Sequence, residues 1–334
     1  MFPDRITLQW HLTDICNYRC IHCYQDNYID KGADYKKLLE YYGKMEKLIC
    51  HFKENNKNIK AHINFTGGEP FMKNELLSLL QILHDNKVFS FGILSNGFLL
   101  CKSDLKVLAA LKPKFIQLSL EGNESINDSI RGRGSYKQVL KAIKTYNDLD
   151  IPVIISFTAN TINYLIFSEV VRIARKYKVH KIWTDRYLPN NSNDKLALST
   201  NQLKDFFQIV LNEQKKKITN YFSKTIVSSN RSLQFLITGG QPYSCSAGLS
   251  LLAIMPNGDV LPCRRLPIKI GNLNYDNLIE IYQSNSTLNG LRSFDNIDTN
   301  CMNCYYCRSC KGGLKCLSYI NYGDYNKKDS NCWL

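Results

Sequence analysis

Residues 6–25 read ITLQWHLTDICNYRCIHCYQ, an apolar run from Ile6 to Leu12 that ends on a polar loop carrying Cys16, Cys20 and Cys23. The run reads as a strand, and five more follow it at His62–Thr66, Ser90–Ser95, Phe115–Leu120, Pro152–Thr158 and Lys181–Thr184. Helical patterns fill the gaps. In the first, Leu38, Tyr41, Tyr42, Met45, Leu48, Ile49 and Phe52 recur at spacings of three and four. In the fifth, Ile166, Val170, Ile173 and Tyr177 do the same behind Asn163 as the expected cap. Strands that alternate with helices imply an α/β fold with a parallel sheet and right-handed crossovers, either open or curled into a partial barrel.

Composition sets the outer bounds. The chain has 334 residues, 44% hydrophobic and 22% charged, the balance of a folded protein rather than a disordered one. No continuous apolar stretch is long enough to span a membrane, and Asp4 and Arg5 stand where a secretory signal would need apolar residues. A cytoplasmic protein without a membrane association is expected. Forty-three Lys and Arg against twenty-nine Asp and Glu give +14, but the cations are spread, with one dense run at Lys215, Lys216 and Lys217. A spread excess reads as a solvated surface before a nucleic-acid groove.

Beyond the sixth strand, a helical stretch from Thr200 to Tyr221 is followed by a mixed segment from Ser223 to Tyr243, read as a connector. Then periodicity fades and cysteine, glycine and asparagine take over. Such a segment is too poor in core residues to fold well alone and is expected to depend on metals. Three regions follow: residues 1–200, a helical connector at 201–243, and a cysteine-rich part at 244–334.

Thirteen cysteines, clustered at the two ends, point to metal ligation in a reducing compartment. Cys16, Cys20 and Cys23 place three thiolates on one loop, which suits a 4Fe–4S cluster with one iron left open. Zinc would call for a fourth Cys or His at short spacing, and His22 sits too close to Cys23 to share the ion. Polar residues gather at the predicted C-terminal strand ends: Thr66, Ser95, Asn96, Ser119, Glu121, Thr158, Asn160, Asp185 and Arg186. In parallel α/β folds that rim is where substrate groups converge. Cys50 and Cys101 read as buried small apolar residues.

The triplet, with His22 before its last cysteine and Tyr24 after it, resembles the radical S-adenosylmethionine superfamily. So do Thr66-Gly67-Gly68-Glu69-Pro70, similar to that superfamily's GGEP element, LSNG at Leu94–Gly97, and SLEG at Ser119–Gly122 followed by IRGRG at Ile130–Gly134. The resemblance implies a partial (β/α)6 TIM-like barrel followed by a small cysteine-rich iron–sulfur domain. It implies that Cys16, Cys20 and Cys23 carry the radical cluster and that His22, Tyr24, Gly67, Gly68, Pro70, Ser95 and Asn96 surround S-adenosylmethionine. Glu69 would take the cofactor's ammonium, Ser119 and Arg131 its carboxylate, and Asn160 or its neighbours would face the ribose. Glu121 stands where the pattern has Asp, so no role is carried over to it.

The C-terminal set is Cys245, then GDVLPC ending at Cys263, then CMNCYYCRSCKGGLKC over 301–316, then Cys332. It resembles the SPASM extension, which implies two auxiliary 4Fe–4S clusters. The outer one would use Cys301, Cys304, Cys310 and Cys332, and the inner one Cys245, Cys263 and Cys316. The pattern frays: Leu314 occupies an expected cysteine position, and Cys307 is extra. The inner cluster would have an open iron, recruit Cys307, or not form. A zinc ribbon on Cys301, Cys304, Cys307 and Cys310 is the alternative, which strands Cys245, Cys263 and Cys332.

The resemblance implies a radical peptide maturase acting on a ribosomally synthesised precursor, with crosslinks such as thioethers as products. The alternatives are a sulfatase-type maturase, a tRNA-modifying enzyme and a non-catalytic metal scaffold. A small electron donor of flavodoxin or ferredoxin type is implied. Only fifteen residues precede Cys16, so a separate leader-recognition protein or recognition by the basic surface is expected. Asp185, Arg186 and Tyr187, in WTDRYLP, are candidates for substrate contact, or else an ordinary strand-end ion pair.

Overall fold

Strand β1, Arg5–Thr13, contains the apolar run, with Ile6, Leu8, Trp10 and Leu12 fully buried. The computed structural model describes residues 3–29, 32–219, 224–229 and 232–334. Parallel strands follow in chain order: β2 (Lys60–Gly67), β3 (Ser90–Ser95), β4 (Ile116–Ser119), β5 (Val153–Ala159) and β6 (Lys181–Arg186). A sheet whose strand order follows the sequence, with right-handed crossovers, puts its helices on one face and curls. This is the expected partial barrel.

The helices are α1 (Tyr35–Asn55), α2 (Leu76–Asn86), α3 (Lys102–Ala110), α4 (Glu124–Arg131), α5 (Ser135–Asp148), α6 (Phe167–Lys176) and α7 (Thr200–Thr219). Helix α1 begins at Asp34, whose carboxylate accepts from Lys37 N at 2.8 Å, and it buries the seven residues the periodicity picked out. Helix α6 departs from expectation. Asn163 does not cap it but is buried, donating to the carbonyls of Glu121 and Thr158 and so bracing two strand ends. The helix starts later, and its buried face is Phe167, Val170, Val171 and Ala174. The expected end of α7 at Tyr221, and Ser223, lie outside the described residues.

Two further departures concern the sheet. Within the expected connector, β7 (Ile226–Ser228) pairs parallel with β6, and α8 (Phe235–Thr238) follows. Beyond it, β8 (Leu251–Ile254) pairs parallel with β1, and β9 (Asp259–Leu261) and β10 (Gly271–Asn272) continue antiparallel. One ten-stranded sheet therefore runs β10-β9-β8-β1-β2-β3-β4-β5-β6-β7.

The first part of the cysteine-rich region is also richer in core than its sequence suggests. Leu252, Ile254, Val260, Leu273, Leu278 and Tyr282 join the barrel's hydrophobic core, and the Tyr282 ring meets that of Phe52 on α1 at 4.8 Å. Helices α9 (Leu278–Ser284) and α10 (Ser286–Arg292) complete this layer. What remains consists of the short helices α11 (Thr299–Met302), α12 (Cys307–Cys310) and α13 (Lys315–Tyr322) with the loops around them. Cys50 and Cys101 are exposed, not buried.

Candidate functional site

The C-terminal ends of β2 to β6 open onto a cavity of about 360 Å³. Thr66 and Gly67 of β2, Ser95 of β3, Ser119 of β4, Thr158 of β5, and Asp185 and Arg186 of β6 all line it. So do Cys16, Cys20 and Cys23, from the loop that follows β1.

That loop is fastened to the glycine pair beside it. Gly68 N donates to Thr13 O at 2.8 Å and Glu69 N to Ile15 O at 2.7 Å. The approach leaves no space for a side chain, since a Cβ on Gly68 would stand 2.1 Å from the Ile15 carbonyl oxygen. Gly67 has φ near +130°, a conformation that other residues rarely adopt. The glycines therefore serve first to seat the cysteine loop. A second tie runs to the RGRG segment, where Ile21 N donates to Ile130 O at 3.0 Å.

The sulfurs sit among N–H donors. Cys16 Sγ accepts from Tyr18 N at 3.5 Å and Asn96 Nδ2 at 3.6 Å, and Cys23 Sγ from Gln25 N at 3.4 Å. Burial pushes the Cys16 and Cys20 thiols up, and neighbouring thiolate charge adds to it. A bound metal cation reverses that preference, because its charge stabilises the thiolates.

Glu69 departs from the role its motif suggested. It is fully buried, and its carboxylate accepts from Phe71 N at 3.2 Å, Ser95 Oγ at 2.9 Å and Asn96 N at 2.8 Å. Burial raises its pKa to about 7 against the pull of those donors. Its side chain braces the β2 and β3 loops and is not on the cavity wall, so the ammonium role does not fit. Pro70 opens a short buried turn behind the wall. Asn160 is likewise fully buried, with its side chain bonded to Thr158 O and Ile162 N, and does not line the cavity to face a ribose.

Glu121 is the residue that sequence reasoning set aside. Its carboxylate accepts from Arg131 Nη1 at 3.0 Å and Thr158 N at 2.9 Å, and His22 Nε2 lies 3.5 Å away. One buried acid thus joins the ends of β4, α4 and β5 to the cysteine loop. Burial, with Arg131 and Arg265 nearby, lowers the His22 pKa to about 3, so the imidazole is neutral. His22, Tyr24, Gly67, Gly68, Ser95, Asn96, Ser119 and Arg131 all line the cavity.

Of the substrate candidates, Asp185, Arg186 and Tyr187 all reach the wall and all are partnered, Asp185 accepting from Arg186 N at 2.8 Å. Arg186 Nη2 meets Asp329 Oδ2 at 2.5 Å, a pair almost fully buried, and Tyr187 donates its hydroxyl to Asp194 at 2.7 Å. Sequence reading missed Trp183, Leu188, Tyr243 and Arg265, which complete this side of the wall. The Arg264-Arg265 pair directly after Cys263 was the available signal. Their guanidinium groups lie 4.6 and 5.5 Å from the Tyr24 ring centre, clamping the C-terminal region onto the cysteine loop.

The remaining cysteines divide into two groups. Cys245, Cys263 and Cys316 line the same cavity as Cys16, Cys20 and Cys23. Cys301, Cys304, Cys307, Cys310 and Cys332 surround a second, smaller cavity. Cys307 is therefore placed with the outer group, and its recruitment to the inner one is corrected. Burial pushes the Cys316 thiol far up, and the nearby Cys245 and Cys263 thiols add to it. Asp329 holds this region to the barrel: besides Arg186, it accepts from Ser232 Oγ at 3.3 Å and Leu314 N at 3.2 Å.

Residues 10–177, half of the chain, match the family model of the Radical SAM superfamily. The chain belongs to the radical SAM superfamily. Residues 245–311 match SPASM, an iron–sulfur cluster-binding domain. Among curated relatives, the radical SAM chain is 27% identical over 303 residues to the antilisterial bacteriocin subtilosin biosynthesis protein AlbA of Bacillus subtilis (strain 168), covering 85% of this chain and 60% of AlbA. It is 24% identical over 284 residues to the sporulation killing factor maturation protein SkfB of the same organism, covering 84% of this chain and 64% of SkfB. The chain thus spans less than two thirds of either relative. Its fold is similar to that of Streptococcus suis SuiB bound to S-adenosylmethionine, with a TM-score of 0.77 at 22% identity, covering all of this chain and 78% of SuiB. It is similar also to anSMEcpe with bound AdoMet and Kp18Cys peptide, with a TM-score of 0.77 at 17% identity, covering 98% and 94% of the two chains.

The residues present suit the groups this family implies. Three sulfurs share one wall, two of them beside N–H donors, and no cysteine is in a disulfide. Among the described residues, His22 Nδ1 and Arg131 Nε are buried without a hydrogen-bond partner, polar atoms left over beside the cavity.

Proposed function

We propose that this radical SAM chain is a peptide maturase that removes hydrogen from a ribosomally synthesised precursor and closes a crosslink of the thioether type. Support comes from one observation above all: two cysteine trios, Cys16/Cys20/Cys23 and Cys245/Cys263/Cys316, face a single cavity. The names of AlbA and SkfB, a bacteriocin biosynthesis and a killing-factor maturation protein, point to the same substrate class, as does SuiB bound to precursor peptide SuiA.

Cys16, Cys20 and Cys23 would hold a 4Fe–4S cluster, which with S-adenosylmethionine would supply one-electron chemistry able to take a hydrogen from carbon. The chain contributes placement. Gly67, Gly68 and the Glu69 brace hold the cysteine loop at the mouth of β2. Arg131 offers a cation, fixed by Glu121, to the carboxylate of the bound cofactor. Neutral His22 keeps a second proton out of that pair. Trp183, Tyr187, Leu188 and Tyr243 make the far wall apolar and exclude water from a reactive carbon.

The inner trio offers three thiolates where a four-iron cluster would take four ligands, so a cluster held there would have a position for a substrate cysteine. Thioether closure forms one S–C bond and removes one hydrogen from sulfur and one from carbon. One hydrogen would leave in 5′-deoxyadenosine and the other as a proton, and a cluster held by the C-terminal cysteines would accept the remaining electron. A small donor of flavodoxin or ferredoxin type primes the cycle. Among the described residues no helix is long and apolar enough to cross a membrane, and the reading places the reaction in the cytoplasm.

The test is anaerobic incubation of the reconstituted protein with S-adenosylmethionine, a reductant and a cysteine-bearing precursor peptide, followed by mass spectrometry. A loss of two hydrogens, mapped to one cysteine and one acceptor residue, is the expected result. An unchanged peptide alongside turnover on another substrate class would refute it.

A further inference from the structure

The outer cavity is walled by five cysteines, while a four-iron cluster takes four. Cys301 and Cys304 bracket the end of α11, and Cys307 and Cys310 lie one turn apart on α12, so that both face the same side of it. Cys332 closes the ring from the C-terminal loop, where its N–H donates to Asp329 O at 2.8 Å. The five are not equivalent. Cys301, Cys310 and Cys332 line this outer cavity and not the groove beside it. Cys304 and Cys307 line it too, and both also line an open groove on its outer side, with Phe294, Met302 and Tyr305. Tyr305 is 93% exposed, whereas its neighbour Tyr306 is anchored on Phe235 at 4.8 Å. The backbone between the two groove cysteines is a single turn, with Cys307 N donating to Cys304 O at 2.9 Å.

From this we infer that the outer site has three fixed ligands, Cys301, Cys310 and Cys332, and a fourth position that Cys304 and Cys307 share as interchangeable ligands. The thiol not ligated at a given moment faces the groove. This rests on the iron–sulfur reading of the C-terminal region and is independent of the peptide substrate. The consequence is a cluster that survives loss of either groove cysteine and that always presents one uncoordinated thiol to solvent at its edge.

Two measurements test it on the reconstituted full chain under anaerobic conditions. The first is iron, sulfide and zinc content, with electron paramagnetic resonance of the reduced clusters, for Cys304→Ala, Cys307→Ala, the double variant and Cys310→Ala. Each groove single is expected to keep its full iron, while the double variant and Cys310→Ala each lose about four irons. The second is brief iodoacetamide labelling of the loaded wild type. Label divided between Cys304 and Cys307 within the tryptic peptide Ser293–Arg308 is the expected pattern, and it does not depend on any variant folding. Loss of four irons from Cys304→Ala alone, with label on Cys307 only, overturns the inference and leaves the region's iron–sulfur reading intact. The mirror result overturns it equally, in favour of Cys307. Zinc in place of the four irons in wild type overturns both.

Discussion

The two cysteine trios that face the cavity are assembled in opposite ways. Cys16, Cys20 and Cys23 lie on one short loop, and backbone bonds to Gly68, Glu69 and Ile130, far along the chain, hold that loop against the barrel. Cys245, Cys263 and Cys316 come from segments 71 positions apart, 316 minus 245, and meet only because β8, β9 and α13 are docked on the barrel. A ligand set on one loop has the spacing of its sulfurs set by neighbours in sequence, and the barrel only fixes where the loop sits. A ligand set gathered across the fold needs the tertiary structure and, in turn, supports it.

The contrast can be broken most severely at the first trio. Replacing Cys16, Cys20 and Cys23 together by Ala should abolish 5′-deoxyadenosine formation and lower iron from about twelve to about eight per chain. Because the loop is held by backbone bonds, the circular dichroism of the barrel should barely change. Persistent cofactor cleavage would move the radical site elsewhere. At the second trio, Cys316→Ala should also remove about four irons. Here crosslinked peptide should vanish while cofactor cleavage continues, and loss of both activities together would show that the trios do not divide the labour.

The dependence of the second trio on tertiary structure is sharpened by Asp329→Asn. It leaves Arg186 buried beside a neutral partner, and breaking a buried pair costs about 3–5 kcal/mol. Limited proteolysis should then cut after 299 while the barrel resists, and similar cutting throughout would mean that the two regions unfold as one. The smallest effect is expected at the exposed thiols. Cys50→Ser and Cys101→Ser should shift stability by less than about 0.5 kcal/mol and leave iron unchanged.

What the sequence disclosed follows the same division. The strand runs, the buried face of α1 and the first trio are local patterns, visible because strand and helix periods repeat over a few residues. Strands β7 and β10 are three and two residues long and carry no period, so the continuation of the sheet on both sides went unread. Glu121 was passed over because its motif position calls for a shorter acid, yet its carboxylate serves Arg131, Thr158 and His22 together. Glu69 was read as facing a ligand because motifs record identity and not direction. Cys50 was misplaced against available evidence: it falls between Ile49 and Phe52 but off the stripe of three and four spacings, which puts it on the wet side of α1.

One consequence of the sheet remains. β8 is hydrogen-bonded along β1, the strand that delivers the first trio, and it leads by way of β9 to Cys263. The ladder behaves as a jig whose jaws are set at a fixed gap. Paired strands resist bending across their hydrogen bonds, so adjustment falls to the peptide. In the proposed reaction, the span between the sulfur held at one jaw and the carbon attacked at the other is dictated by the enzyme. Precursors lengthened or shortened between those two residues must buckle or stretch to be closed, and the ring sizes they give should cluster tightly.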